Sequence, residues 1–341
     1  MPFSIVTPTL QEQEKFIWRG YTRADIPDVW KLFQTINRVD DNDYYETKAD
    51  LENQYDDPLG DPLRDARVIR SLSGRLAAFA RILTFSKPSK ENVAYLACDI
   101  APEARAQGLE QECLEWMQER ATERLAEIAK ANEAEEMPRA LRVEFPDTAV
   151  EWLALYRGRG YQHIRSAFQM QRDLREPIPE SALPAEFTLR TYDDDLDESL
   201  RLARNAAFRD HWGSQQISRE TWRANFTQVS DFNRDATLAL MDGERVAAYI
   251  ICYDNTVDNE RRGIRRGYVG NLGTRREYRG RGFASFLLTE TMRRFRASGF
   301  DYLGLDVDAE NLTGALRLYE GLGFKAYKTR VVLEKQVAGS K

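Results

Sequence analysis

Residues 268–285 read YVGNLGTRREYRGRGFAS, and this stretch decides the fold. It predicts a strand that runs into a glycine-rich turn, and the turn opens a helix near Phe283. The first amides of a helix have no partner within it, and glycines let the backbone approach an anion, so the turn suits a pyrophosphate. Arg279 and Arg281 add positive charge. The stretch lacks the GK[ST] of a Walker A loop and the G-x-G-x-x-G spacing of a dinucleotide turn.

The sequence around this turn predicts a mixed α/β domain. Asp242-Gly243 is a strong hairpin signal, and Gly323 is a typical residue to end a short helix. The predicted elements are helices at 196–208, 283–296 and 313–322 and strands at 237–241, 246–252, 268–274, 302–307 and 324–333. This order is typical of a partly parallel mixed sheet covered by helices.

The same pattern occurs twice in the chain, because four segments of the first half recur in the same order in the second half. The pairs are 16–21 with 187–192, Ser73-Gly74 with Asp242-Gly243, 105–108 with 279–282, and 155–161 with 318–324. Between the copies, Pro177, Pro179 and Pro184 disfavour a helix and suit an extended linker. We therefore predict domains at 1–174 and 187–341, joined by a linker at 175–186.

The composition excludes several classes of protein. The chain has 341 residues, enough for two domains, and its 3 cysteines are too scattered for a disulfide framework. With 2 histidines and no Cys-x-x-Cys pair, we expect no metal site. No apolar stretch is long enough to span a membrane, and we expect a cytoplasmic protein without a signal peptide. The net charge of -6 does not favour binding to duplex DNA. Residues 187–341 hold 25 Lys+Arg against 22 Asp+Glu, so the excess acid lies in the first half.

Two motifs resemble the GNAT superfamily of N-acetyltransferases. Residues 279–284, RGRGFA, resemble the family's Arg/Gln-x-x-Gly-x-Gly/Ala signature, and residues 311–324 are similar to its Asn…Ala…Leu-Tyr-x-x-x-Gly-Phe element. Residues 208–213, FRDHWG, also resemble tandem members of the family with a mycothiol-synthase-like arrangement. The resemblance covers 187–336 well and 16–173 weakly. It implies an α/β fold of two tandem GNAT-like domains, each a twisted mixed β-sheet flanked by helices.

The resemblance also implies roles for individual residues, with acetyl-CoA as the cofactor. Backbone amides of the turn would hold the coenzyme A pyrophosphate, and the strand before the turn would pair with the pantetheine arm. The implied coenzyme contacts are Leu272, Gly273, Thr274, Arg279, Gly280, Arg281, Gly282, Phe283, Ala284 and Asn311. Tyr319 would lie near the sulfur and protonate the leaving thiolate, which a tyrosine hydroxyl can do. The structural alternatives are a buried aromatic for Tyr319 and a helix N-cap for Asn311.

The general base is assigned to His211, because histidine titrates near neutral pH and Asp210 and Trp212 adjoin it. The alternative is a capping or packing role for His211 at a helix end. The other histidine, His163, we interpret as structural, and Cys252 as buried and inert among apolar strand residues.

The first copy departs from the pattern at the turn. Ala106 replaces the first glycine, and Glu110 brings a carboxylate to where phosphates would lie, which repels them. Thr148 stands where the second copy has Asn311. We predict that the first half keeps the fold without productive coenzyme binding and helps to wall the acceptor pocket. The alternative is an intact but divergent second site.

One dense basic cluster, Arg261, Arg262, Arg265 and Arg266, falls in what we interpret as a hairpin loop at 254–267. The simplest interpretation is a solvated loop. Contact with the coenzyme 3′-phosphate or with nucleic acid stays open as an alternative.

Together these features predict an acetyl-CoA-dependent N-acetyltransferase that transfers the acetyl group directly to a primary amine of a small molecule, with the chemistry in the second half. An aminoglycoside, a polyamine, a cysteinyl-sugar conjugate, and protein N-termini or lysines are all open as acceptors. The alternative function is a non-catalytic acyl-CoA-binding interaction or regulatory module. We expect no nucleic-acid or membrane partner, and a monomer or homodimer.

Overall fold

The two halves of the chain form nearly the same order of strands and helices in the computed structural model, which describes residues 16–40, 47–56, 60–85, 88, 91–209, 214, 216–310 and 314–337. The first half contains β1 (Phe16–Gly20), α1 (Ile26–Asp40), α2 (Lys48–Tyr55), α3 (Pro62–Asp65), β2 (Ala66–Ser71), β3 (Leu76–Thr84), β4 (Asn92–Ile100), α4 (Leu109–Ala131), β5 (Arg139–Pro146), α5 (Val150–Gly158) and β6 (Gln162–Asp173). The second half contains β7 (Thr188–Thr191), α6 (Asp197–Ala207), α7 (Arg219–Trp222), β8 (Leu238–Asp242), β9 (Arg245–Tyr253), α8 (Thr256–Arg262), β10 (Arg266–Thr274), α9 (Phe283–Ala297), β11 (Tyr302–Asp308), α10 (Ala315–Gly321) and β12 (Lys325–Val337).

The helices and strands that the sequence predicts for the second half are all present, with ends that differ by a few residues. The mixed α/β class is confirmed. Helix α8 lies where the sequence predicts a loop, and it has no counterpart in the described part of the first half. None of the helices in the described ranges is both long and apolar enough to cross a membrane.

The strands of both halves join one continuous sheet in the order β1-β2-β3-β4-β5-β12-β6-β11-β10-β9-β8-β7. The pairs β4–β5 and β10–β11 are parallel, and the others are antiparallel. At the centre the halves exchange their last strands, because β6 pairs with β11 of the second half and β12 pairs with β5 of the first half. Neither half therefore completes its sheet alone.

The pairing of β6 with β12 relates the halves by an approximate two-fold axis. Lys328 of β12 faces Gln169 of β6, and Arg165 of β6 faces Val332 of β12. A two-fold rotation that exchanges the strands brings one pair onto the other, so Arg165 and Lys328 occupy equivalent places. Both strands are irregular at equivalent residues, Ile164 and Tyr327, which the register skips. This axis identifies which residues of the two halves correspond.

The exchanged strands carry core residues into the opposite half. Val331 and Leu333 of β12 belong to the apolar core of the first half, and Met170 of β6 belongs to that of the second half. A buried ion pair adds a polar link, because Arg142 of β5 is 2% exposed and its Nε donates to Oε2 of Glu334 on β12 at 2.7 Å. The two halves are thus joined by apolar packing and charge as well as by backbone hydrogen bonds.

The segment 175–186 between the halves holds neither helix nor strand. Ile178 and Leu183 pack against the core of the second half, and the Pro179 carbonyl accepts a hydrogen bond from Nη2 of Arg293 at 3.0 Å. The domain limits at 174 and 187 stay predictions. Strands on either side of these limits pair with each other, because β6 pairs with β11 and β5 pairs with β12.

Candidate active site

The opening that could hold a ligand in the second half lies between β10 and β11. These parallel strands pair from Arg266↔Tyr302 to Val269↔Leu305 and then separate. Past that point β10 pairs with β9 as far as Thr274, and β11 pairs with β6 as far as Asp308. An extended ligand could therefore pair with the edge of β10 that faces the gap.

The geometry of β10 depends on close packing of two tyrosine rings. The register of β10 against β9 shifts between Val269 and Asn271, which leaves Gly270 out of step. A Cβ on Gly270 would lie 2.1 Å from the ring of Tyr253, and one on Gly273 would lie 2.5 Å from the ring of Tyr249. Glycine is therefore required at both positions, which is a signal that sequence reasoning could have used and did not.

The predicted pantetheine contacts Leu272, Gly273 and Thr274 lie on β10 beyond the point where the strands separate. Leu272 packs against the second-half core. Next to it, the hydroxyl of Tyr249 donates to Oδ1 of Asn271. The structure thus places these residues along the gap, and their contact with a coenzyme stays a prediction.

The predicted pyrophosphate turn joins β10 to α9 in an open conformation. Gly280 and Gly282 both have φ +78, in the left-handed region, and a Cβ on either would meet nothing within 4 Å. Gly282 precedes α9, so the first amides of that helix point toward the turn. The Phe283 side chain is buried against Phe187, with ring centroids 4.6 Å apart, so only its backbone is available to a ligand.

The two arginines of the turn have different surroundings. Arg279 donates through Nη2 to the carbonyl of Ala207 at 2.8 Å and through Nε to that of Thr274 at 3.3 Å. It therefore braces the turn against the end of α6 and the end of β10. The Arg281 guanidinium lies 5.9 Å from the rings of Phe187 and Tyr278, beside the open turn.

The equivalent turn of the first half has the same backbone shape, and its own carboxylate closes it. Ala106 has φ +59 and Gly108 has φ +87, which match the left-handed pair of the second half. Oε1 of Glu110 accepts a hydrogen bond from the Ala106 backbone N–H at 2.8 Å. The Glu110 carboxylate thus lies in the turn, where the sequence predicts that it would repel phosphates.

A cavity of about 460 Å³ lies beside the exchanged strands β6 and β12, near the end of β5. Its lining includes Thr148, Phe168, Tyr327 and Arg330, so both halves contribute. Unlike β10, β4 keeps a regular register against β3.

Tyr319 lies on α10 and is nearly buried, with its ring 5.9 Å from that of Phe324. Burial raises the pKa of Tyr319 to about 12. The hydroxyl is therefore protonated at neutral pH. The equivalent Tyr156 is fully buried, its hydroxyl has no hydrogen-bond partner, and burial raises its pKa as well.

Two predicted site residues, His211 and Asn311, lie outside the described residues, so their roles stay predictions. His163 is exposed on β6 with Nε2 at 3.0 Å from Oγ of Ser166, and Cys252 is fully buried. Within the described ranges no three His, Cys, Asp or Glu side chains are grouped so that they could hold a metal ion.

The interpretation of the basic cluster as a solvated loop is wrong for Arg262 and Arg266, and residues Thr256–Arg262 form helix α8. Asp258 on α8 is fully buried and pairs with Arg262 at 2.8 Å and with the nearly buried Arg266 at 2.6 Å. The loop interpretation overlooked the spacing of Asp258 from Arg261 and Arg262, which puts them on one face of a helix. Arg262 and Arg266 thus belong to an ion network around Asp258 at the start of β10, whereas Arg261 and Arg265 are exposed.

Comparisons with known proteins agree with this geometry. Residues 198–324 match the model of the acetyltransferase (GNAT) family. This part of the second half is therefore similar to GNAT acetyltransferases. A mycothiol acetyltransferase from Thermobispora bispora is 31% identical over 186 residues, which cover 52% of this chain and 60% of that relative. The chain therefore spans less than two thirds of this curated relative's length.

Solved structures show the same tandem GNAT fold over nearly the whole chain. A GCN5-related N-acetyltransferase from Sphaerobacter thermophilus has a TM-score of 0.69 at 23% identity, covering 96% of this chain and 97% of that one. A tandem GNAT protein from the clavulanic acid biosynthesis pathway has a TM-score of 0.65 at 14% identity, covering 96% of this chain and 100% of that one. At these identities the likeness establishes the fold.

Proposed function

We propose that this chain is an N-acetyltransferase that transfers an acetyl group from acetyl-CoA directly to a primary amine of a small molecule, in its second half. One observation carries the proposal, namely the difference between the two turns. The second-half turn is open at Gly280 and Gly282, whereas Glu110 closes the first-half turn. The match of residues 198–324 to an acetyltransferase family supports the same assignment.

Three groups of the second half would hold the coenzyme. Backbone amides at the start of α9 would bind the pyrophosphate, because unpaired amides and the helix dipole favour an anion there. Arg281 would add charge beside them. The free edge of β10 past Val269 would pair with the pantetheine arm. Acetyl-CoA supplies the acetyl group as a thioester.

The protein must then polarise the carbonyl, accept a proton from the amine and stabilise the thiolate. A backbone N–H on the open edge of β10 could donate to the carbonyl oxygen. His211 is the proposed base for the amine. Tyr319 would donate a hydrogen bond to the developing thiolate, because its raised pKa keeps the hydroxyl protonated. Full proton transfer to a thiolate of ordinary pKa, about 8.5, would be uphill by roughly 3 to 4 pKa units, so the hydrogen bond is the main contribution.

The acceptor is proposed only as a class. The net acidic charge of the first half favours a cationic small amine. The name of the Thermobispora bispora relative, a mycothiol acetyltransferase, favours the cysteinyl-sugar amine among the candidates. A cytoplasmic location, where cysteines stay reduced, is part of the proposal.

The test is release of free thiol from acetyl-CoA with a panel of polyamines, aminoglycosides, a cysteinyl-sugar amine and peptides. We expect turnover with at least one small amine. Binding of coenzyme A without thiol release for any amine would instead indicate a non-catalytic module. Gly282→Glu should abolish coenzyme binding, with Gly108→Glu as the matched control, since both glycines have left-handed φ values. Unchanged coenzyme affinity in Gly282→Glu would make the site assignment wrong.

A further inference from the structure

The exchanged strand β6 attaches the end of β11 to the first half at two points. The backbone N–H of Ala309 donates to the carbonyl of Ser166 at 2.9 Å. Beside it, Nη1 of Arg165 donates to Oδ2 of Asp308 in an ion pair whose side chains are 21% and 14% exposed. Because the pair is partly buried, removing one partner costs more than it does in a surface salt bridge, since the remaining charge has lost much of its water.

The Asp308 carboxylate also shapes the segment that follows β11. Its Oδ1 accepts the backbone N–H of Glu310 at 3.0 Å. Beyond Leu305, β11 no longer pairs with β10, so its outer part forms one side of the gap. Asp308 therefore fixes the end of the strand that borders the proposed coenzyme site.

Among the described residues, the two-fold axis gives this ion pair no equivalent at the corresponding positions of the first half. The backbone attachment recurs in the first half, where Asp147 N–H donates to the Thr329 carbonyl at 3.0 Å. The side-chain attachment does not recur, because Ala167 faces both Asp308 and Arg330, and Arg330 faces Pro146. Pro146 thus stands where the second half has Asp308, and it cannot pair with Lys328, the equivalent of Arg165. The ion pair is therefore found in the same half as the open turn.

We propose that Arg165 of the first half is a positioning residue for the coenzyme site of the second half, acting through Asp308. The inference rests on the proposed function. It explains how a half whose own turn is closed contributes to the site of the other half. Removing Arg165 would leave the Asp308 carboxylate partly buried without its cation, so the carboxylate would turn toward water and shift the end of β11 beside the gap.

The experiment measures coenzyme A affinity by calorimetry in the full chain, together with kcat and KM for acetyl-CoA. In Arg165→Ala we expect affinity to fall about tenfold and KM to rise in parallel, with kcat changed less. Arg165→Lys should restore part of the affinity because it keeps the charge. Lys328→Ala, at the equivalent place, is the matched control and should leave affinity unchanged.

Circular dichroism and thermal melting separate positioning from folding. If Arg165→Ala does not fold, Asp308→Asn replaces it, because the amide can still accept from Glu310 but has lost its charge, and we expect the same direction with a smaller change. Folded variants with wild-type affinity would overturn the inference, even if their melting temperature falls. An equal loss in Lys328→Ala would also overturn it. If the wild-type chain itself does not bind coenzyme A, the proposed function fails first and this inference fails with it.

Discussion

The Glu110 carboxylate accepts the backbone N–H of Ala106 at 2.8 Å, and so it closes the first-half turn from within the chain. The equivalent residues of the second half are Ala284 and Gly280, so no carboxylate stands there. Both turns have a pair of left-handed residues at the same places. The two halves therefore share the backbone of the turn, and one side chain separates a closed turn from an open one.

Transplanting that side chain should close the second half. In Ala284→Glu the new carboxylate would accept the Gly280 N–H and repel phosphates, and acidic residues in the first turn of a helix do not destabilise it. We expect coenzyme A affinity to fall about 10- to 100-fold, as the loss of a charge-assisted hydrogen bond implies. Calorimetry measures the change. Ala284→Gln is the neutral control and should lose much less; equal losses in both variants would contradict the electrostatic explanation.

Opening the first half should not create a second coenzyme site. In Glu110→Gly the turn gains room, yet Ala106 keeps a side chain at φ +59, β4 keeps its regular register, and Thr148 replaces the asparagine. We expect no coenzyme binding when Glu110→Gly is combined with Gly282→Glu, which removes the second-half site. A clear calorimetric signal from this double variant would show that the first half retains a working site.

Removing the Tyr319 hydroxyl should slow turnover with little effect on binding. In Tyr319→Phe we expect kcat to fall about 100-fold, a typical contribution of one positioned donor, while coenzyme A affinity stays near the wild-type value. The matched control is Tyr156→Phe, which removes a buried hydroxyl with no partner in the first half and should leave turnover unchanged. If Tyr319→Phe turns over at the wild-type rate, the donor role is wrong.

The raised pKa of Tyr319 also predicts how stability depends on pH. Its folded pKa of about 12 lies above the usual value of 10, so the folded state holds the proton more tightly than the unfolded state. This contribution is fully present below pH 10 and is lost as the pH rises through 12. Urea midpoints between pH 9 and 12 should therefore fall less in Tyr319→Phe than in the wild-type chain. Parallel curves would show that the folded hydroxyl titrates normally.

The buried pair Arg142–Glu334 should matter more to folding than the exposed pair on the same two strands. Arg142→Ala leaves Glu334 and Glu91 without their shared cation, and we expect a loss of about 3–5 kcal/mol in the free energy of unfolding. Arg330→Ala removes a more exposed pair with Glu144 and should cost about 1 kcal/mol or less. Denaturant unfolding measures both.

We also expect the wild-type chain to unfold in one transition, since each half completes the sheet of the other. Two separate transitions would contradict this.

Local sequence patterns predicted most of the helices and strands of the second half. They could not predict which strands pair when the strands are far apart in the sequence. The alternation and apolar periodicity around Asp242-Gly243 and Phe283 depend on neighbouring residues, so one sequence suffices to recognise the strands and helices there. The exchange of β6 and β12 depends on which distant strands meet, and neither strand differs in pattern from one that stays in its own half. The Glu110 contact follows from a local turn, so its role was foreseeable. The Arg165–Asp308 pair joins residues from different halves, and nothing near either residue indicates the other.

The place of β12 in the sheet has a consequence for synthesis on the ribosome. Strand β5 ends at Pro146, and its neighbour on one side is formed by residues 325–337. The amino-terminal half therefore leaves the exit tunnel with an unsatisfied strand edge, and it must wait for most of the remaining chain to be translated. At roughly 5–20 residues per second this delay is on the order of ten seconds or more, during which chaperones and neighbouring nascent chains can reach that edge.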